Sequence, residues 1–182
     1  MAHSLKEHHI RFLKYLTNLS SESNREELAV LRRGLSSPPA EDVSMYRFIA
    51  RFVPDEDRNT VRERVYYLLA SLYALHPVSV SQGNFGNHMS YAASQLPDRT
   101  STERRFTVLL NSNLEDLPDY LRQAVSFIKS SSKNDIPINW FSLFEDLLQW
   151  NHPHRISQRN WANGFWGYQP GDHDKNEPSQ TI

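Results

Sequence analysis

Arginine side chains recur in closely spaced pairs along this sequence, and their chemistry suits the binding of phosphate groups. Arg32–Arg33 and Arg104–Arg105 are adjacent in sequence, while Arg47/Arg51 and Arg155/Arg159 are each four residues apart. Residues four apart lie on the same face of a helix. The planar guanidinium group can form two parallel hydrogen bonds to a phosphate and can stack on a nucleobase. Of the 20 basic residues, five are lysines and the remaining fifteen are arginines.

Two of these pairs have different electrostatic surroundings. Arg32 and Arg33 fall in the last turn of a predicted helix, where the helix dipole favours positive charge, so they form either a stabilised helix end or a phosphate-binding corner. Arg104 and Arg105 are predicted in the first turn of another helix, where the dipole opposes positive charge. An anion or a carboxylate must compensate there, so this pair is the stronger functional candidate.

No residue pattern indicates catalysis. The absence of cysteine excludes disulfides, thiolate nucleophiles and cysteine-based zinc sites. No HExxH pair occurs, and His152 and His154 have no evident third ligand, so we expect no metal site. The glycines around Asn84 lack the lysine and the spacing of a nucleotide-binding loop, so we expect no cofactor. The sequence therefore points away from an enzyme.

The hydrophobic spacing predicts an all-α protein, a compact bundle of about eight or nine helices. Apolar residues recur at intervals of three and four, and no segment alternates at period two. Residues 65–75 are apolar nearly all round, which predicts a central helix. The predicted helices cover about residues 5–19, 24–33, 43–52, 57–76, the later part of 85–96, 100–111 and 114–130, with two more around the tryptophans near the C-terminal end.

Capping signals mark several helix starts. Asn24 with Glu27, and Thr100 with Glu103, have the spacing of a capping box. Asn139 is a suitable N-cap for a helix beginning at Trp140, and Gly34 is expected to end the second helix. Residues 78–84 are either an extended segment or a mobile loop, predicted to be a hinge between two helical halves.

All four tryptophans fall within 27 residues near the C-terminal end of the sequence. For Trp140 and Trp150 we favour core packing over a platform on which bases stack. Trp166 could cap the core or face a partner.

Composition places the chain among small globular proteins. We predict one helical domain over residues 1–168, formed by packed sub-bundles at about 1–77 and 85–168, and a disordered acidic tail over 169–182. The formal charge is −1, so net charge alone gives no signal for nucleic acid. No secretory signal or membrane-length apolar run is visible, which predicts a soluble, cytoplasmic protein.

The order of these features resembles the CasB family, the small subunit of the type I-E CRISPR effector complex Cascade. The resemblance covers about residues 5–167 and is collective, since no single motif is diagnostic. It rests on the first helix, the apolar fourth helix, Phe85–Gly86 before a helix, Trp150 followed by Arg155 and Arg159, and the motifs Leu31–Gly34, Met45–Phe48 and Glu103–Phe106.

The resemblance implies a helical, non-catalytic subunit present as two copies in Cascade. Its implied partners are the backbone and large subunits, the guide RNA, and the target and displaced DNA strands, which it would help to hold during R-loop formation. The positions that match the family's nucleic-acid surface are Arg32, Arg33, Arg47, Arg104, Arg105, Arg155 and Arg159. This chain departs from its relatives in its near-neutral charge, its acidic tail, and Asn87–His88 after Gly86.

A helical protein-interaction module is the alternative hypothesis. In that case the aromatic C-terminal region docks on a partner, and the arginines form only salt bridges within the chain or across an interface. The dependence of binding on salt concentration separates these two classes, because phosphate contacts release counterions.

Overall fold

The computed structural model describes residues 6–19 and 24–167, and within these ranges the chain is all-α, as predicted. The predicted loop at 20–23 and the predicted acidic tail at 169–182 lie outside the described residues. Within the described residues, the helices follow one another in the predicted order. The helices are α1 Glu7–Asn18, α2 Arg25–Arg33, α3 Tyr46–Ile49, α4 Val61–Leu75, α5 Phe85–Ser94, α6 Thr100–Asn111, α7 Leu117–Ser130, α8 Trp140–Leu148 and α9 Ile156–Trp166.

Helix α4 is the central helix of the bundle, as its apolar sequence predicted. Every residue from Val65 to Ala74 is buried, and α4 packs against α2, α7 and α8. Its tyrosines contact the rings of α8: Tyr66 lies 5.0 Å from Phe144, and Tyr73 lies 5.5 Å from Trp140, both edge-on. The helix thus joins the N-terminal elements to the tryptophan-bearing helices.

Helices α5 and α9 approach each other closely because glycines lie at their contact. A Cβ atom on Gly86 would lie 1.9 Å from the carbonyl oxygen of Trp161. Three α5-side groups also donate hydrogen bonds to α9 carbonyls: Asn84 to Asn160 (2.9 Å), Asn87 to Gly164 (3.2 Å) and Ser90 to Phe165 (3.1 Å). The glycines have no side chain to keep the two helices apart, and the polar side chains of Asn84, Asn87 and Ser90 bond directly to the backbone of α9.

Only the first part of the segment after α4 is paired in an extended arrangement: residues 78–80 bond to Ile138, and residues 81–83 form bends. Val80 N–H donates to the Ile138 carbonyl (3.1 Å), and Ile138 N–H donates to the Val78 carbonyl (3.0 Å). These bonds form one isolated parallel bridge, and the Trp140 indole N–H also donates to the Val78 carbonyl at 3.1 Å. The hinge role of this segment stays a prediction.

The tryptophans belong mainly to the core. Trp140, Trp150 and Trp161 are buried, so the preference for core packing at Trp140 and Trp150 is confirmed. Trp166 is 47% exposed and lies 5.5 Å from the ring of Phe106. It contacts the core with one part of its ring and offers the rest to solvent.

Helix starts were predicted correctly at one position and wrongly at others. Asn139 does cap α8, accepting a hydrogen bond from Ser142 N–H at 3.1 Å. The capping box at Asn24 is wrong, because the Asn24 side chain forms no capping hydrogen bond to α2. Its amide donates instead to the Asn18 carbonyl, and Glu27 accepts a hydrogen bond from Tyr15.

The fourth helix begins later than predicted. Asp55–Asp57 forms a separate 3-10 turn, and α4 begins only at Val61, capped by the Thr60 side chain. Between them Asn59 has a φ of 57°, a left-handed conformation that Asn tolerates better than most residues. This residue interrupts the helix that the hydrophobic spacing predicted from residue 57.

Buried apolar side chains from all the helices of the described ranges form one connected core. The core crosses the predicted boundary between residues 1–77 and 85–168; the division into two sub-bundles stays a prediction. Among the described residues, no helix combines the length and the apolar composition needed to cross a bilayer.

Candidate nucleic-acid interface

Arg32 lies where α2 meets the C-terminal end of α4. Its Nε donates to the Ala74 carbonyl at 2.9 Å, and the neighbouring Leu75 carbonyl accepts from Lys129 Nζ of α7 at 3.1 Å. The last carbonyls of a helix have no partner within that helix and carry partial negative charge, so cations are favourable there. The contact explains the position of Arg32 structurally and also places a second cation, Lys129, beside it.

Arg33 is exposed beside the loop that follows α2. Hydrogen bonds from Ser44 hold the pKa of the nearby Asp42 carboxyl below its usual value, and the positive charge of Arg33 lowers it further. No carboxylate in the described part of the chain comes close enough to Arg33 to form an ion pair. Its guanidinium group is therefore available to an external anion.

Arg47 and Arg51 lie at a corner formed by α1, α2 and α3. The Arg47 guanidinium lies 4.4 Å from the ring centre of Phe48, and that of Arg51 lies 5.0 Å from the ring of Tyr15. Burial raises the pKa of Glu27 at this corner, against the lowering effects of Arg51 and Arg47. Arg47 thus lies partly within the field of Glu27, as Arg33 lies within the field of Asp42.

Arg104 and Arg105 lie on α6, but the electrostatic argument for them was wrong. Asp98, rather than a Thr100–Glu103 capping box, bonds the helix start, accepting from Thr100 N–H at 2.9 Å and from its hydroxyl at 2.7 Å. Because α6 begins at Thr100, the two arginines occupy its second turn. The helix dipole acts mainly in the first turn, so it does not single them out.

Both arginines instead line a groove between α6 and α7. The groove has a volume of about 290 Å³, and most of its lining is apolar. Arg104 adds to the lowering of the Asp98 pKa, which is due chiefly to the Thr100 hydrogen bonds, but it forms no ion pair with that carboxylate. Two exposed guanidinium groups therefore border an apolar groove, a combination that the sequence did not predict.

Arg155 and Arg159 were predicted to share a helix face, and this prediction is wrong. Arg155 precedes α9 and has a φ of 50°, in the left-handed region, so only Arg159 belongs to the helix itself. The Arg155 guanidinium donates to the Leu110 carbonyl near the C-terminal end of α6. Arg159 is exposed on α9. The contact places the Arg155 charge at the opposite end of α6 from Thr100.

Taken together, the seven predicted arginines are all exposed, and none forms an ion pair with a carboxylate among residues 6–19 and 24–167. By contrast, Arg58, Arg62 and Arg122 are paired with Asp55, Asp57 and Asp119. The described contacts relate the seven to three places: the α2–α4 end, the α1–α3 corner, and the length of α6 with the start of α9. A single surface joining these places stays a prediction.

Two basic residues near this set were missed by the sequence argument. Lys129 reaches the α4 end beside Arg32, and its place in the last turn of α7 was the available signal. Arg99 donates to Ser90 Oγ at 3.2 Å and lies 5.5 Å from the ring of Phe165, while its buried Nε has no partner in the described chain. Arg99, at the start of α6, therefore contacts both α5 and α9 where these two helices pack together.

Among residues 6–19 and 24–167, one group of side chains has the proximity of metal ligands: His8, His9 and Asp57 each offer one donor atom, and these atoms lie within 4.8 Å of one another. The Lys6 backbone N–H donates to His9 Nδ1 at 3.1 Å, so Nε2 carries the proton and has no free lone pair. Burial and the positive charge of neighbouring His8 lower the pKa of His9 to about 4. Asp57 is held by Arg62 at 2.7 Å. These bonds oppose metal binding at this group.

Comparison with known proteins identifies the family. Residues 27–166 match the family model for the CRISPR-associated protein Cse2. The chain belongs to the Cse2 family. The matched range includes every predicted arginine from Arg32 to Arg159, and solved relatives carry either the name Cse2 or the name CasB, so the predicted family is confirmed.

Individual relatives agree with this assignment. A CRISPR-associated protein Cse2 from Thermus thermophilus is 28% identical over 91% of this chain and 94% of its own length. The crystal structure of CasB from M. ruber is 33% identical, covers 88% of this chain and 93% of its own, and has a TM-score of 0.72. One chain of a solved CRISPR RNA-guided surveillance complex is 26% identical, covers 87% and 91%, and has a TM-score of 0.71.

Proposed function

We propose that this Cse2-family chain is the non-catalytic small subunit of a type I-E Cascade surveillance complex. Its arginines would contact the phosphates of guide RNA, target strand and displaced strand, and so stabilise the R-loop. The observation that carries this proposal is the set of seven exposed arginines that no described carboxylate neutralises. The similarity to a chain of an RNA-guided surveillance complex supports it.

The proposed mechanism needs no side-chain chemistry. In R-loop formation, an RNA–DNA duplex replaces a DNA duplex of similar stability, so modest contacts to the backbone can shift the balance. Arginines that bind phosphates supply this free energy without reading the base sequence. Each guanidinium that is unpaired in the free protein gains a partner on binding and has no internal ion pair to break first.

The proposed partners follow from the same assignment. The chain would lie beside backbone and large subunits and a second copy of itself, and these neighbours would complete the nucleic-acid path between the three arginine locations. A path shared between subunits accounts for a near-neutral chain in this role, because the nucleic acid would meet only one side of it. The cytoplasmic location remains part of this proposal.

A charge-reversal experiment in the assembled complex tests the proposal. Arg33, Arg104 and Arg105 are replaced together by Glu, leaving Arg32 unchanged because its bond to Ala74 supports the fold. The control is Arg58→Glu with Arg122→Glu, since these exposed arginines already have carboxylate partners. We expect the triple variant to assemble but to lose R-loop stability, and the control to keep it. An unchanged R-loop in the triple variant would rule out the proposed role.

The adaptor hypothesis has one observation in its favour: Trp166 and Val108 each expose nearly half of their surface, and Trp166 contacts Phe106, a near neighbour of Val108 on α6. An apolar surface of this kind suits a protein partner. An adaptor would bind its partners with little dependence on salt, and replacing Trp166 by Ala would weaken assembly without changing nucleic-acid affinity.

A further inference from the structure

The groove between α6 and α7 combines features that a phosphate-binding surface alone does not need. Its floor is formed by buried apolar side chains, including Met89 of α5 and Phe106 and Leu109 of α6. Its volume of about 290 Å³ is room for one compact planar group rather than for a helix. An open apolar recess of this kind is the usual form of a small-group binding site.

One wall of the groove carries aromatic rings on α7. Tyr120 and Phe127 are seven residues apart, which is close to two helical turns, so both rings lie on the same face of the helix. Both are half-buried and pack against the core with part of each ring, leaving the remainder to the groove. Aromatic faces of this kind stack on nucleobases whatever the base sequence, because every base has a π-face.

The border of the groove is positively charged. Arg104 and Arg105 line it, and neither forms an ion pair with a described carboxylate. Gln123 also lines the groove, and its amide forms no hydrogen bond with any residue in the described ranges. An apolar recess with free cations and a free amide at its border is complementary to a planar base attached to an anionic backbone.

We propose that the α6–α7 groove receives an unpaired base of single-stranded nucleic acid, stacked against Phe127, with the adjoining phosphates on Arg104 and Arg105. This inference rests on the proposed function and adds the base as the recognised group. Single-strand binding proteins combine the same two elements, a basic path for phosphates and aromatic faces for bases. An acidic peptide with one apolar side chain is the competing occupant, and the experiment separates the two.

The test compares two oligonucleotides of equal length with the full-length chain at low salt. One is single-stranded oligothymidine, and the other has the same phosphates but no bases. Base stacking of the usual strength predicts that the thymidine oligomer binds at least about fivefold more tightly. Equal affinity for the two would overturn the base site and leave the phosphate-binding function standing. Failure to bind either would overturn the base site in the isolated chain, and the charge-reversal experiment in the assembled complex would then decide the proposed function separately.

Substitutions of the α7 ring that lines the groove test whether the preference for the thymidine oligomer arises there. Phe127→Leu keeps apolar volume but removes the ring, so we expect the preference for the thymidine oligomer to fall to about one, whereas Phe127→Tyr should keep it. The matched control, Phe141→Leu, alters an exposed phenylalanine of α8 outside the groove and should leave the preference intact. Arg104→Gln with Arg105→Gln should weaken both oligomers alike.

Two further outcomes contradict the base site. If Phe127→Leu folds like the wild type and keeps the wild-type preference, the base is bound elsewhere. If Phe127→Leu instead weakens assembly with the other subunits and leaves the preference for bases unchanged, the groove binds a protein segment. The free energy of unfolding of each variant, measured in urea, shows whether a change in binding comes from removal of the ring or from loss of folded protein.

Discussion

The close contact of α5 and α9 makes Gly86→Ala the most informative single substitution for the fold. The added Cβ would lie 1.9 Å from the Trp161 carbonyl oxygen, and ordinary contact begins at 3.4 Å, so α9 must move by the difference, 3.4 − 1.9 = 1.5 Å. A movement of this size strains the three hydrogen bonds that α5 and its cap donate to α9. The substitution therefore perturbs the helix that carries Arg159.

The expected change in the free energy of unfolding of Gly86→Ala is the balance of opposing effects. Alanine favours the helix over glycine by about 1 kcal/mol. Overpacking costs roughly 1–3 kcal/mol, and each hydrogen bond that is lost costs about 1 kcal/mol. We therefore expect the free energy of unfolding to fall by about 3 kcal/mol, or by roughly 6–12 °C in Tm for a chain of this size.

The assay is urea or thermal unfolding followed by circular dichroism, with Gly34→Ala as the control. A Cβ on Gly34 would also be crowded, 2.2 Å from Met45 Sδ, but that atom belongs to a flexible side chain that can move aside. We expect Gly34→Ala to cost clearly less than Gly86→Ala. If Gly86→Ala is as stable as the wild type, the close backbone contact described for α5 and α9 is wrong.

Three further predictions concern the elements around the candidate interface. Asn139→Ala should lower the free energy of unfolding by about 1 kcal/mol, through loss of the cap on Ser142 N–H, whereas Asn134→Ala in the exposed loop should not. Burial lowers the pKa of His88 to about 4, so the unfolded chain binds this proton first, and stability should fall by up to about 3 kcal/mol as pH drops from 6.5 to 4. His88→Gln should reduce that fall in urea titrations, and an unchanged pH dependence would contradict the assignment. Burial raises the pKa of Asp146 to about 6, so its contribution has the opposite sign and is lost as pH rises from about 4 to 6; Asp146→Asn should remove this loss, and a variant with the wild-type profile would refute it.

The helices could be predicted from sequence because their apolar residues repeat at helical spacing. Residues 65–74 of α4 show this most clearly, since a segment apolar all round can only be buried. The Asn139 cap was predictable for a similar reason, as a local side-chain bond depends on residues only three apart. Local spacing therefore sufficed for the fold class and for some helix boundaries.

The errors lie where a backbone conformation or a competing partner decided the outcome. Asn59 and Arg155 adopt left-handed conformations that the apolar pattern does not encode, and they displaced the starts of α4 and α9. Asp98 accepts the hydrogen bond from Thr100 N–H, so Thr100 is the first residue of α6 rather than its cap. Arg104 therefore lies in the second turn. Short polar side chains compete for the same backbone donors, and spacing alone does not say which one wins.

The candidate interface was the least predictable feature, because it depends on contacts between distant segments. Lys129 joins Arg32 through carbonyls of α4, and Arg155 reaches α6 across 45 residues of sequence. The groove beside Arg104 also requires α7, and no local pattern indicates that the rings of α7 lie there. The sequence could nominate the arginines through a family resemblance, but not their neighbours.

The central claim, that unpaired arginines bind phosphates, is tested most directly by the salt dependence of single-strand affinity. Affinity of the wild type and of Arg104→Gln/Arg105→Gln is measured across a series of salt concentrations. Each phosphate contact to a single strand contributes about −0.7 to the slope of log affinity against log salt concentration, so removal of two contacts should make the slope shallower by about 1.4. A slope that is flat in the wild type, or identical in the two proteins, would contradict the account.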